Sequence, residues 1–185
     1  MKIAISGAHC TGKTTLVNAL KDSGKYTDFI FRSNLLRGLK DMGIPINENG
    51  NTVTQLYVMT KFYEFAHVPG DAILDRCALD GLSYTMYFYD EMNKEMQTVF
   101  QKLFEQTIHK YDAICYVEPE LPLIDDGVRS IDRNFYDTVV MNFENLINSY
   151  EIPVYRISGT VEQRVKQVSK IIKKVQKEKE TGFEL

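Results

Sequence analysis

Length, composition and charge narrow the class of protein before any motif is considered. A chain of 185 residues with 44% hydrophobic and 25% charged residues is expected to form one globular domain with a substantial core. A net charge of −3 and a pI of about 5.7 argue against a protein that tracks DNA or RNA. No apolar run is long enough to span a membrane, and the first one leads directly into a polar loop. Neither a membrane anchor nor a cleavable signal is therefore expected.

The cysteines indicate the redox environment. Cys10, Cys77 and Cys115 are odd in number and widely spaced, which fits neither a disulfide framework nor a zinc site. This pattern predicts a reducing, cytoplasmic location.

The first fifteen residues carry the most specific pattern in the chain. An apolar run over residues 2–6 precedes a loop of the form G-x-x-x-x-G-K-T, which is followed by helical spacing. Glycine at both ends of the loop permits backbone angles and close approaches that a Cβ would prevent. The loop amides and the helix N-terminus can then bind phosphate, with Lys13 on the β- and γ-phosphates and the Thr14 hydroxyl on Mg²⁺. The predicted nucleotide-binding residues are Gly7, His9, Cys10, Thr11, Gly12, Lys13, Thr14 and Thr15.

Beyond this loop, hydrophobic spacing predicts alternating helices and strands. Further strands are expected at residues 29–31, 71–76, 113–117 and 153–157. Helices are expected at residues 13–21, 34–39, 52–67, 79–109 with one break near 90–93, 135–150, and from 160 to about 177. The alternation predicts an α/β fold, with about five mostly parallel strands between two layers of helices. Residues 1–177 are expected to form a single domain, with a lid-like segment near 119–134 and a flexible tail at 178–185.

Asp75 and Arg76 follow a short buried strand, where the carboxyl ends of parallel strands gather ligands. A carboxylate at this position can organise Mg²⁺ or accept a proton from an attacking hydroxyl, and the residues leave both roles open. Arg76 is suited either to a transferring phosphoryl group or to the molecule that accepts it.

Segment 119–134 is polar and contains two arginines four residues apart. Arg129 and Arg133 would lie on one face of a short helix, and in a mobile segment they would close over a nucleotide and offset developing charge. The pair Asp126 and Gly127 is the expected hinge or turn.

Four further side chains are candidates for binding. Asn34 and Arg37 share a helix face and are expected to contact the acceptor substrate. Gln55 lies on an aromatic-rich helix and could read the edge of a base, and Arg164 could stack on adenine.

With these residues in place, the chain resembles small P-loop kinase-like domains grouped with AAA-labelled ATPases. These domains are relatives of bacterial nicotinamide-riboside kinases and, more distantly, of deoxynucleoside and thymidylate kinases. The resemblance rests on residues 7–16, 34–45, 75–84, 111–112 and 126–129, and it implies the three-layer P-loop NTPase fold. The chain departs from the family pattern at Asn34, where an acid is usual, and at Cys10, where glycine is common.

The predicted function is an ATP- and Mg²⁺-dependent kinase. It would transfer the γ-phosphate to a hydroxyl or phosphate of a nucleoside, nucleotide or related small molecule, and a homodimer is compatible with the sequence. One alternative acceptor is a modified pyrimidine in DNA, such as 5-hydroxymethyluracil, which the acidic pI disfavours. A second alternative is a regulatory ATPase or nucleotide-dependent switch. Residues 93–96 fail the base-specificity motif N-K-x-D at the last position, which disfavours a GTPase switch.

Overall fold

A five-stranded sheet is the centre of the structure, a computed structural model that describes residues 1–125 and 127–181. The strands are β1 (Lys2–Ser6), β2 (Ile30–Arg32), β3 (Ala72–Asp75), β4 (Ala113–Val117) and β5 (Val154–Ile157). All four strand pairings are parallel, and the order across the sheet is β2-β3-β1-β4-β5. The prediction of a mostly parallel α/β sheet is therefore confirmed.

Helices follow the strands along the chain. They are α1 (Lys13–Asp22), α2 (Leu35–Asp41), α3 (Thr52–Ala66), α4 (Ala78–Thr85), α5 (Lys94–Ile108), α6 (Arg133–Ser149) and α7 (Val161–Thr181). Two 3₁₀ turns, Asn47–Asn49 and Met86–Glu91, complete the described elements.

The two faces of the sheet are covered by different helices because alternate side chains of a strand point in opposite directions. Ile3 and Ile5 of the central strand β1 pack on the face covered by α1 and α7, where Leu16 and Val168 are fully buried. Ala4, between them, faces the opposite layer, whose largest buried side chains come from α5 and α6 (Phe100, Phe104, Phe135 and Phe143). The result is the predicted three-layer arrangement.

Two element boundaries differ from the predicted ones by more than two residues. The long helical region breaks over Met86–Glu91, earlier than expected, and α5 restarts after Asn93, whose side chain accepts the Met96 N–H. The last helix continues to Thr181. Among residues 1–125 and 127–181, none of the helices combines the length and apolar character needed to cross a bilayer.

The pairing register places the functional residues. Ile5 of β1 lies beside Asp75 of β3, and Arg76 N–H donates to the Ile5 carbonyl at 2.9 Å. Because the two strands are parallel neighbours, the loop that leaves β1 and the residues that end β3 meet at the same sheet edge.

Candidate active site

The loop between β1 and α1 has a backbone that requires glycine at both ends. Gly7 has φ +138°, and a Cβ there would lie 2.7 Å from the Val117 carbonyl oxygen. Gly12 has φ +88° and caps the N-terminus of α1. Cys10, at φ +61°, also lies in the left-handed region, so three residues of the loop have positive φ. The main chain therefore curls around the first turn of α1, as a phosphate-binding loop must.

Lys13 is folded back into this loop and is only 4% exposed. Its Nζ donates to the Ala8 carbonyl and lies 3.2 Å from Thr11 Oγ1. Burial, together with the neighbouring charge of Arg76, lowers the pKa of Lys13 to about 7. A phosphate group bound at this amine would replace its neutral partners, the Ala8 carbonyl and the Thr11 hydroxyl, with negatively charged oxygens. Thr15, two residues further along α1, is exposed.

Thr14 and Asp75 form the contact between the loop and β3. Thr14 Oγ1 donates to Asp75 Oδ2 at 2.8 Å. The other carboxylate oxygen, Oδ1, is buried and has no hydrogen-bond partner among the described residues. Mg²⁺ in nucleotide sites takes one or two protein oxygens and completes its shell with water and phosphate oxygens. A hydroxyl beside a carboxylate with one unused oxygen fits that requirement. The described residues contain no cluster of three or more metal-ligating His, Cys, Asp or Glu side chains.

Arg76 leaves the strand in a left-handed conformation, with φ +80°. Its Nη1 pairs with Asp80 Oδ1 at 3.2 Å, and its guanidinium carbon lies 5.2 Å from the centre of the Tyr84 ring. Burial opposes the charge, but Tyr84, Asp80 and Asp75 outweigh it and raise the pKa of Arg76. The guanidinium is therefore a permanent cation beside the phosphate loop.

A cleft opens beside the loop and collects side chains from five separate segments of the chain, one of which is Ile46–Asn47. Its walls include His9 and Thr14 from the loop, Asn34 and Arg37 from the start of α2, Asp75 and Arg76 after β3, and Arg129 from segment 119–132. Asn34 is the residue before α2 and has φ +66°. The structure therefore brings the predicted acceptor residues Asn34 and Arg37 to the same cleft as Asp75 and Arg76.

A second cavity adjoins this cleft on the side of α3, and Gln55 is one of its lining residues. The side chain is 6% exposed, and its Oε1 accepts from Thr85 Oγ1 at 3.3 Å. Arg76 lines both the cleft and the cavity, as do Leu36, Ile46 and Asn47. Gln55 thus lines a cavity whose wall shares four residues with the cleft beside the phosphate loop.

The two arginines of the lid-like segment are separated in the structure. Arg129 lines the cleft, whereas Arg133 is the first residue of α6, is 71% exposed, and pairs with Asp137 at 3.0 Å. They do not share a helix face, because the Asp132 side chain caps α6 and the helix begins only after it. Asp126 lies outside the described residues. Gly127, with φ +71°, forms a tight turn whose N–H donates to Asp125.

Arg164 lies against the phosphate loop and is 3% exposed. Its guanidinium donates to the Thr11 carbonyl at 2.5 Å, to the Gly159 carbonyl at 2.7 Å, and to Glu120 at 3.1 Å. Cys10 touches the lid-like segment from the other side, with its Sγ 3.7 Å from the Ile124 carbonyl. The sequence suggested that Arg164 stacks on adenine, whereas the described contacts brace the backbone of the loop.

The sequence of the chain matches the model of one protein family. This family is described as AAA domain, and the match covers residues 2–164. The chain belongs to this family. No curated protein sequence matches the chain significantly.

Solved structures share the fold of this AAA-domain chain. A NadR protein solved in complex with NR superposes with a TM-score of 0.71 at 21% identity, over 91% of this chain and 50% of that one. Deoxyadenosine kinase from M. mycoides, with products bound, gives a TM-score of 0.63 at 17% identity over 96% and 99% of the two chains. Thymidylate kinase from Ehrlichia chaffeensis gives 0.62 at 17% over 93% and 98%. The chain spans about half the length of the NadR proteins that it matches.

Three residues of the site were not among those that the sequence predicted. Asp80 and Tyr84 of α4 contact both Arg76 and the phosphate loop, and Asn47 donates to the Val128 carbonyl at 2.6 Å across the cleft. The spacing of Arg76, Asp80 and Tyr84, each four residues from the next, was the signal available for the first two. No local pattern marks Asn47.

Proposed function

We propose that this chain is an ATP- and Mg²⁺-dependent phosphotransferase. It transfers the γ-phosphoryl group to a hydroxyl or phosphate of a nucleoside, a nucleotide or a related small molecule. The observation that carries the proposal is the 2.8 Å hydrogen bond between Thr14 and Asp75, directly beside Arg76. A hydroxyl and a carboxylate that can ligate a metal lie with a cation at the mouth of the loop, beside a cleft that can admit a second molecule, and this arrangement supports the proposal. The likeness in fold to deoxyadenosine and thymidylate kinases supports the same conclusion.

On the donor side, Lys13 and the loop amides hold the β- and γ-phosphates. Thr14 and Asp75 would hold Mg²⁺, which supplies charge neutralisation at the phosphate oxygens when it is bound. Asp75 Oδ1 is also free to accept the proton of an attacking hydroxyl, since no described side chain occupies it. Arg164 keeps the loop in shape through the Thr11 carbonyl.

On the acceptor side, the cleft is lined by three arginines among other residues, and the adjoining cavity combines apolar side chains with Gln55, Thr54 and Asn47 and with the Arg76–Asp80 pair. Arg76 and Arg129 approach the position of the transferring phosphoryl group, where they offset negative charge. Asn34 and Arg37 hold the acceptor at the entrance, and the Gln55 amide supplies a donor and an acceptor for a ring edge within the cavity. Catalysis is then mainly positioning and charge stabilisation.

The buried free thiols of Cys10, Cys77 and Cys115 support a reducing compartment, and we propose a cytoplasmic location.

The decisive experiment measures transfer of label from γ-labelled ATP to a panel of acceptors. The panel contains nucleosides, nucleoside monophosphates, nicotinamide riboside, and DNA carrying 5-hydroxymethyluracil. We expect transfer to one small-molecule class, abolished in Lys13→Ala and retained in the matched control Lys21→Ala, which removes an exposed amine from the same helix.

Two outcomes would contradict the proposal. Steady ATP hydrolysis with no labelled acceptor would favour a regulatory ATPase. Transfer to the modified DNA alone would replace the small-molecule acceptor with a nucleic acid.

A further inference from the structure

Helix α4 presents two side chains, one turn apart, to the phosphate loop. Asp80 is 1% exposed, and its Oδ2 accepts the Ser6 hydroxyl at 2.7 Å, at the residue that precedes Gly7. Its Oδ1 faces Arg76 Nη1 at 3.2 Å. One carboxylate thus contacts both the start of the loop and the arginine of the acceptor cleft.

Tyr84 repeats this double contact four residues later. Its hydroxyl accepts the backbone N–H of His9 at 2.8 Å and lies 2.9 Å from His9 Nδ1. The ring stands under the Arg76 guanidinium, with the guanidinium carbon 5.2 Å from the ring centre. Burial, with the charges of Arg76, Lys13 and Arg129, lowers the pKa of His9 to about 3. The imidazole therefore stays neutral and adds no repulsion to the loop.

These contacts leave Arg76 with little freedom of its own. Its backbone adopts φ +80°, and its side chain is held by an ion pair on one side and an aromatic face on the other. Both partners belong to a single buried helix, which also forms hydrogen bonds with Ser6, the last residue of β1, and with His9 in the loop. A shift of α4 would therefore move the arginine and the loop together.

We propose that Asp80 and Tyr84 are positioning residues that fix the Arg76 guanidinium relative to the phosphate loop. The proposal rests on the proposed phosphotransferase function, in which Arg76 acts on the transferring group. Both side chains also line the cavity that contains the Gln55 amide, but in this proposal each acts through Arg76 and the loop. The four-residue spacing places both side chains on one face of the helix. The tether, meaning the contacts of Asp80 and Tyr84 with Arg76 and with Ser6 and His9, is therefore as rigid as the helix itself.

A purely structural role is the competing explanation, and the chain contains a matched control for it. Tyr111 is partly buried, and its hydroxyl accepts the N–H of Ala78, the first residue of the same helix, at 3.0 Å. It contacts neither Arg76 nor the loop through that hydroxyl. Tyr111→Phe removes one hydroxyl bond to a backbone N–H. Tyr84→Phe removes the bond to the His9 N–H together with the contact to His9 Nδ1 and keeps the ring beside Arg76, so only this variant separates the Arg76 contact from the loop.

The experiment compares kcat, the KM for ATP and the midpoint of thermal unfolding in these two variants. We expect Tyr84→Phe to lower kcat about tenfold with less than about a threefold change in KM, because small misplacements of a catalytic group act on the chemical step. Tyr111→Phe should lower the unfolding midpoint comparably and leave kcat within about twofold. Equal effects of the two variants on kcat would overturn the proposal.

A double-mutant cycle tests whether Tyr84 acts through Arg76. In an Arg76→Lys background, the loss caused by Tyr84→Phe should shrink to about twofold, since the planar guanidinium that it positions is gone. An undiminished tenfold loss would mean that Tyr84 acts elsewhere. A wild-type chain that transfers no phosphoryl group would overturn the function and the tether together, whereas full activity in Tyr84→Phe would overturn only the tether.

Discussion

The donor and acceptor sides of the cleft are built in different ways. The donor side comes from one continuous segment, residues 2–15, and its charged side chain Lys13 is almost completely buried. The acceptor side is assembled from distant segments, and Asn34 and Arg37 on its wall are exposed. A site made by a single local segment is preorganised by backbone geometry. One made by several segments depends on how helices pack, which leaves room for acceptor specificity to change.

The bridge between the two sides is Asp75. We expect Asp75→Asn to lower kcat for transfer by about 10²- to 10³-fold, because the amide keeps the size of the side chain but loses the charge that organises Mg²⁺ and accepts a proton. The dissociation constant for ADP without Mg²⁺, measured by calorimetry, should change far less. Asp22→Asn, at the exposed end of α1, is the control. Undiminished transfer by Asp75→Asn would remove Asp75 from both proposed roles.

The buried amine of the donor side predicts a pH dependence that the acceptor side should not share. Burial lowers the pKa of Lys13 to about 7 in the free protein, and the phosphates of a bound nucleotide would raise it. Binding above pH 7 must then take up a proton, so the ADP affinity should fall up to about tenfold per pH unit as the pH rises from 7 to 9. Below pH 7 this contribution should level off. A flat profile, or the same slope in Lys13→Ala, would contradict it.

Substitution of Arg164, whose guanidinium holds the backbone of the phosphate loop, is expected to have a smaller effect than substitution of Asp75. Arg164→Gln should weaken binding of ATP and of inorganic tripolyphosphate by the same factor, about three- to tenfold, because it loosens the Thr11 backbone rather than a ring contact. It should also lower the free energy of unfolding by about 1–3 kcal/mol, measured in urea, since buried acceptors lose their donor. Loss of ATP binding alone, with tripolyphosphate unaffected, would restore adenine stacking as the role of Arg164.

The smallest effect is expected for the arginine that lies outside the cleft. Arg133→Ala should change kcat and the KM for either substrate by less than about twofold, because its side chain is exposed and paired with Asp137. Arg129→Ala should lower kcat by at least about tenfold through lost charge stabilisation. Comparable losses in both variants would show that the lid-like segment rearranges to use the two arginines together.

The sequence predicted the parts of the site that depend on neighbouring residues. The spacing from Gly7 to Thr14 identified the phosphate loop, and the fold class followed from the alternation of strands and helices. The sequence also selected several of the residues that line the cleft, among them Asn34, Arg37 and Arg129. Their chemical roles stay predictions until the experiments above are done.

Spacing misled where a helix boundary or a tertiary partner mattered. Arg129 and Arg133 are four residues apart, but the Asp132 cap starts α6 between them. Arg164 was a candidate for stacking on adenine, and the structure places its guanidinium against the Thr11 carbonyl, 153 residues away in the chain.

By itself, the sequence determined the phosphate loop, because glycine conformations and a lysine and threonine at a fixed separation act within one short segment. Only the tertiary structure decided what that loop touches. Strand pairing brings Thr14 to Asp75, and helix packing brings Ser6 and His9 to Asp80 and Tyr84. These contacts join residues 61 to 75 positions apart. Hydrophobic periodicity reports on neighbouring residues and does not predict contacts at such separations.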